Sequence, residues 1–181
     1  ASLSGFYYTD AEETPSYQKA DLPEQTDLSL LDYADTATDC TMEKGSEGIT
    51  VSNLGADPNV VFPGVASCFA DNDKLYGLSL TVDAPDETEM AVYYQTEGDE
   101  GFSAEKVYTF KVTEDNRTWE HLVPGGITEL RVDVSSPVES AVINNFELKS
   151  CDITESGYTA LKESGVDEVT FSDSTYQAQV T

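Results

Sequence analysis

The chain has 181 residues, and its 35 Asp and Glu against 9 Lys and Arg give a formal net charge of −26. That charge makes nucleic acid and anionic lipid poor partners, because phosphate is gripped by clustered Lys and Arg, and its self-repulsion costs stability while keeping the chain in solution. With 39% hydrophobic and 10% aromatic residues, the chain is too rich in core-forming side chains for a disordered acidic tail. The acids are spread along the chain, as on a surface suited to salt or to a crowded cell exterior. No window approaches the roughly 18 apolar residues of a membrane span, so direct membrane insertion of this segment is not expected. The chain begins at Ala1, and we read it as a processed form or a fragment of a larger protein.

Residues 1–39 read as an N-terminal appended segment. Tyr7, Tyr8 and Tyr17 suit a short strand pair, and Leu28, Leu30 and Leu31 a brief helical turn or another strand. Residues 40–151 read as the β-sandwich domain, with turn signals recurring roughly every ten residues. Gly48–Leu54 is a strand ended by Asp57-Pro58-Asn59, and Val60-Val61-Phe62 is a short one ended by Pro63-Gly64. Leu78, Leu80 and Val82 alternate with polar residues, the pattern of a half-buried strand. Met90, Val92 and Tyr94 form the inward set of the next, which leaves Tyr93 facing outward. Tyr108, Phe110 and Val112 share a face, as do Trp119, His121 and Val123. In Leu130-Arg131-Val132-Asp133-Val134 the apolar residues point inward and the charged ones outward. The closing strand breaks phase: Val142, Asn144, Phe146 and Leu148 have one parity and Ile143 the other, which a bulge, or burial of both faces near its start, would reconcile.

Residues 152–181 read as a C-terminal extension packing on the sandwich. It has room for one short helix near 157–164, with Ser156 as N-cap and Gly165 as stop, and for a last strand at Val169 and Phe171.

Chemistry is sparse. His121 is the lone histidine and no GxSxG elbow exists, so a Ser-His-Asp triad has no parts. Chance pairs of carboxylates are unavoidable among so many acids, so a glycosidase reading has no specific support. Three cysteines stand without a CxxC pair, which leaves a structural zinc site short of ligands. Cys68 reads as a buried inert thiol. Cys40 and Cys151 bracket the sandwich and would meet if its first and last strands paired, so a disulfide between them is an expectation.

The order of Tyr93-Tyr94-Gln95, Gly101-Phe102-Ser103-Ala104-Glu105, Trp119 and Ile127–Asp133 resembles the jelly-roll modules of the carbohydrate-binding type on bacterial cell-surface proteins. It looks most like the extracytoplasmic sandwich attached to some membrane glycosyltransferases. The match departs from that pattern in two places: an extra Ala104 precedes Glu105, and Val134 stands where a proline is usual. The resemblance covers roughly residues 40–150. It implies an all-β, jelly-roll-like antiparallel sandwich with short flanking segments and an extracellular or cell-surface location. It also implies a non-catalytic module that contacts cell-wall or surface polysaccharide or positions a neighbouring domain. An adhesin or structural domain making protein contacts is the first alternative and a hydrolase the second. If sugar is bound, Tyr93 and Trp119 are the candidate stacking rings, with Arg131 and Asp133 as polar partners. Modules of this kind often hold a structural calcium; the tightest clusters of hard oxygen ligands between strands are Asp71-Asn72-Asp73, with Asp71 and Asp73 as the candidate ligands, and Asp83 with Asp86-Glu87.

Overall fold

The computed structural model describes residues 28–72, 76–135 and 139–148 in full, with backbone alone for strand segments at 6–7, 16–18, 27, 74–75, 149–154, 166–171 and 175–180. Two antiparallel sheets face each other. One runs in the order β10 (Val107–Val112), β9 (Thr88–Thr96), β12 (Ile127–Val134), β7 (Asn59–Phe62) and β4 (Thr36–Thr38). The other runs β11 (Thr118–Pro124), β8 (Lys74–Asp83), β13 (Ser140–Thr154), β6 (Gly48–Ser52) and β5 (Thr41–Gly45). In that second sheet β3 (Asp27–Ser29) pairs with the distal half of β13. A further sheet is built from the two ends of the chain, in the order β1 (Phe6–Tyr7), β2 (Ser16–Gln18), β15 (Thr175–Val180) and β14 (Val166–Phe171).

Alternation decides which side chains enter the core. Val60, Phe62, Met90, Val92, Leu130 and Val132 point in from the first sheet and are buried. They meet Ile49, Val51, Leu78, Leu80, Ile143 and Phe146 from the second. Phe62 and Phe146 close the gap edge to face, with ring centroids 5.0 Å apart. Each such buried side chain contributes about 1.5–3 kcal/mol relative to exposure.

The bulge is present. Register between β13 and β8 shifts between Ile143 and Asn145, so Asn144 is the extra residue. Ala141 and Ile143 face the core before it, Phe146 and Leu148 after it. The bulge is braced by the β5–β6 hairpin. The Asn144 amide donates to the Glu47 carbonyl at 3.1 Å, and Gly48 lies so close that a Cβ there would sit 2.0 Å from the Ile143 carbonyl oxygen.

The sandwich starts earlier than residue 40. β3 and β4 lie within the segment read as appended, and both belong to the sandwich sheets. A 3-10 turn at Leu31–Tyr33 carries the chain from one sheet to the other, with Leu30 buried in the core. The strand pair expected around Tyr7 and Tyr17 is β1 with β2, and the strand expected at Val169 and Phe171 is β14. The helix expected near 157–164 lies outside the described residues.

The disulfide is not formed: Cys40 is a free, half-buried thiol that donates to the Asn59 carbonyl at 3.5 Å. Register explains why. Thr41, beside Cys40, aligns through Ser52 with Ser140 at the start of β13. Cys151 lies in the last turn of residues of that same strand. At about 3.3 Å of rise per residue, the two ends of so long a strand are tens of ångströms apart, against the roughly 7 Å limit between Cα atoms for a disulfide.

Gly48 also holds φ at +122°, outside the range side chains adopt easily. Gly48→Ala therefore combines backbone strain with a clash against the bulge. We expect a loss of about 2 kcal/mol or more and a fall in Tm of roughly 4–8 °C. Thermal denaturation followed by circular dichroism checks this, and an unchanged Tm removes the bulge-bracing role.

Candidate functional site

The inward set on β9 and β12 forces the residues between to face out. Cross-strand register then sets Arg131 beside Tyr93, and Asp133 beside Ala91. On the next strand out, Thr109 of β10 is opposite Ala91, and Lys111 is opposite Glu89. Tyr93 and Arg131 thus make one raised row across the sheet. Glu89 and Lys111 make another, and the row between them holds the small side chains of Thr109 and Ala91 with Asp133. The result is a trough of about 570 Å³ lined by Tyr93, Ala91, Thr109, Lys111, Glu89, Asp133 and Asp57, with Arg131 held beside it through Asp133.

Arg131 organises the first row. Its Nε and Nη2 donate to the two carboxylate oxygens of Asp133 at 2.7 and 2.8 Å. Its guanidinium lies 4.3 Å from the centre of the Tyr93 ring and 5.3 Å from that of Phe102. Cation–π contact and a bidentate ion pair together hold three side chains in one geometry. Burial pushes the Asp133 carboxyl above its ordinary value despite the Arg131 bonds, and Asp57 adds to the rise. Burial works against the Arg131 charge as well, but the hydrogen bonds and charge of Asp133, with Asp57, hold the guanidinium above its usual range. The loop that brings Phe102 over Arg131 is anchored by Lys106, whose ammonium reaches Asp99 at 2.6 Å and the Thr96 hydroxyl at 2.7 Å. Asp99 in turn accepts from the Thr96 backbone N–H at 2.8 Å.

Three of the four predicted ligand residues, Tyr93, Arg131 and Asp133, are brought together. Trp119 is not among them. It sits on the other sheet, paired with Leu80 and facing the interior. There it stacks on Phe110 at 5.1 Å and lies near Tyr108 and His121. These half-buried rings seal the seam between the edge strands β10 and β11. Strand parity gave the face of Trp119 but not which edge it would close. Phe102 was legible only as part of a loop; its position over Arg131 depends on how the loop folds back. Asp57, Glu89 and Lys111 could have been found only by knowing the strand order.

Among the described residues no three His, Cys, Asp or Glu side chains gather as a metal site. Asp71 is exposed and its N–H donates to the Tyr76 hydroxyl at 3.1 Å, and Asp73 lies outside the described residues. Cys68, read as buried, is half-buried, with its thiol 3.4 Å from the Tyr33 hydroxyl. A larger cleft, about 780 Å³, lies at one end of the sandwich between residues 83–87 and 113–117. It is rimmed by acids, its Arg117 is tied to Asp83 at 2.6 Å, and among the described residues no aromatic ring lines it. Size alone would choose it; the chemistry favours the trough.

No family model matches the chain, and no curated protein sequence matches it. Solved structures do. A low-affinity xylan-binding module of type CBM86 from Roseburia intestinalis aligns over 72% of this chain and 97% of its own, at 9% identity and a TM-score of 0.50. The C-terminal CBM6 module of a laminarinase from Zobellia galactanivorans aligns over 70% and 100%, at 14% identity and a TM-score of 0.45. The K1 cleaved adhesin domain of Lys-gingipain from Porphyromonas gingivalis aligns over 71% and 99%, at 12% identity and a TM-score of 0.43. At these identities the likeness is one of fold alone: the chain has a jelly-roll-like β-sandwich, shared at a TM-score of 0.50 with the xylan-binding module.

The anchor of the Phe102 loop makes a pH prediction. The Lys106 bond, ahead of the Thr96 N–H, holds the Asp99 carboxyl below its ordinary value of 3.8. A carboxyl lowered on folding stabilises the fold above its unfolded value, and that contribution disappears as pH falls through the lowered one. Carboxyl NMR titration should place Asp99 below 3.8, with the Phe102 ring signals moving through the same midpoint. An Asp99 midpoint at or above the ordinary value sinks the anchor.

Proposed function

We propose that this chain is a non-catalytic, extracytoplasmic module of a larger bacterial surface or membrane protein, and that it contacts glycan through the trough on its five-stranded sheet. The observation that carries the reading is the row formed by Tyr93, Phe102 and Arg131 beside a floor of small residues. Glycan sites need a flat apolar surface for the sugar ring and a few fixed polar groups for its hydroxyls. The ring of Tyr93 supplies the first. The N–H groups of Arg131 that Asp133 leaves free, together with Thr109, supply the second.

A hydrolase reading is weaker at this site. Glycoside hydrolysis needs one carboxyl free to give up a proton and a second facing it. Both oxygens of Asp133 are already taken by Arg131, so its raised pKa reflects burial and not a proton poised for transfer. A protein-contact reading, as for an adhesin, calls for an exposed apolar patch. Among the described residues the exposed large hydrophobic side chain is Leu28, and one such residue makes no patch. The acidic composition and the resemblance in residues 40–150 support an outer-surface setting.

Affinity electrophoresis in gels containing soluble xylan, β-glucan or arabinoxylan tests the reading. Retardation in at least one gel is expected. Tyr93→Ala and Arg131→Ala should each weaken it about tenfold, roughly 1.4 kcal/mol, while Trp119→Phe leaves it unchanged. Free migration in every gel, or full retardation of Tyr93→Ala, overturns the assignment.

A further inference from the structure

We infer that the trough selects uncharged glycan and rejects chains bearing uronate, sulfate or phosphate, with Asp57 and Glu89 as the residues that set this choice. The inference rests on the glycan-binding reading and sharpens its substrate class. An arginine among aromatic rings ordinarily invites an anion, because its fork of N–H groups matches a carboxylate, sulfate or phosphate. Here its side-on edge is occupied. Nε and Nη2 of Arg131 are both committed to Asp133, and the flat face is covered by Tyr93. What Arg131 still offers is a small number of N–H donors whose charge is already matched. A neutral hydroxyl can accept from them; a second anion would have to displace Asp133 or share the guanidinium with it.

The cation that lines the trough is committed too. Lys111 stands across from Glu89 in register but forms its ion pair with Glu87. Among the described residues, Arg131 and Lys111 therefore each already have an acid, while Asp57 and Glu89 have no cation of their own there. Asp57 is close enough to act on the Arg131–Asp133 pair from outside it, favouring the guanidinium charge and opposing that of the carboxylate. An incoming carboxylate or sulfate meets that same field. Because the trough is open to solvent, the repulsion is screened by salt and fades within about 10 Å at 0.1 M ionic strength.

The experiment uses two matched pairs of soluble polysaccharide: arabinoxylan with glucuronoxylan, and hydroxyethylcellulose with carboxymethylcellulose. Binding is measured by affinity electrophoresis or calorimetry at low ionic strength and again near 1 M NaCl. The neutral member of a recognised pair should bind at least tenfold more tightly at low salt, and the ratio should shrink at high salt. Asp57→Asn with Glu89→Gln should narrow the low-salt ratio at least threefold. Glu43→Gln with Glu47→Gln, an equal change in total charge on the β5–β6 hairpin of the other sheet, should leave that ratio in place. Equal or tighter binding of the carboxylated member overturns the exclusion while the glycan reading stands. A ratio moved equally by both double variants overturns the assignment to Asp57 and Glu89, since total charge then suffices. Failure of all four polysaccharides to bind overturns the glycan reading, and the exclusion with it.

Discussion

Everything on the surface of this sandwich depends on the packing of two sheets through alternate side chains. Val92, Leu130 and Val132 are buried because the facing sheet supplies Leu78, Leu80 and Phe146 to cover them. Once they are in, Tyr93, Arg131 and Asp133 have no choice but to face out, since a shift of one residue would reverse every side chain on the strand. The trough is thus the reverse side of the core. Its residues are held in place by the apolar neighbours on either side of them in sequence.

The polar chemistry then works within that frame. A half-buried arginine in a chain of such negative charge has many acids to choose from, and here it takes the one two residues along its own strand. That choice fixes both partners in plane, frees the ring of Tyr93 to lie against the guanidinium, and brings in Phe102 from a loop held by Lys106 and Asp99. Isolated exposed ion pairs contribute little to stability. This one is partly desolvated, bidentate and stacked, so its value lies in orientation more than in free energy.

Much of this was legible in the sequence. The strands from β6 to β13, the outward face of Tyr93, Arg131 and Asp133, and the bulge in the closing strand all follow from apolar alternation. What was hidden had no alternation to reveal it. β4 is Thr36-Ala37-Thr38, an edge segment that buries little, and β3 is three residues long, so the start of the sandwich was placed too late. The parity Trp119 shares with His121 and Val123 gives its face, but only the opposition of β10 and β11 shows which seam it closes. The pairing of Cys40 with Cys151 failed because closeness of first and last strands in a sheet says nothing about which ends of those strands adjoin.

The register of β13 carries a consequence for how the chain assembles. Its first half joins β6 to β8, and its second half joins β3 to β8. Without β13, that sheet is only two separate ribbons, β5 with β6 and β8 with β11. Two-stranded ribbons are marginal in water, and contacts between segments so distant in sequence are slow to form. One long strand, last of the sandwich strands to leave the ribosome, therefore acts as the keystone: until it arrives, the facing edges of β6 and β8 have no partner to join them.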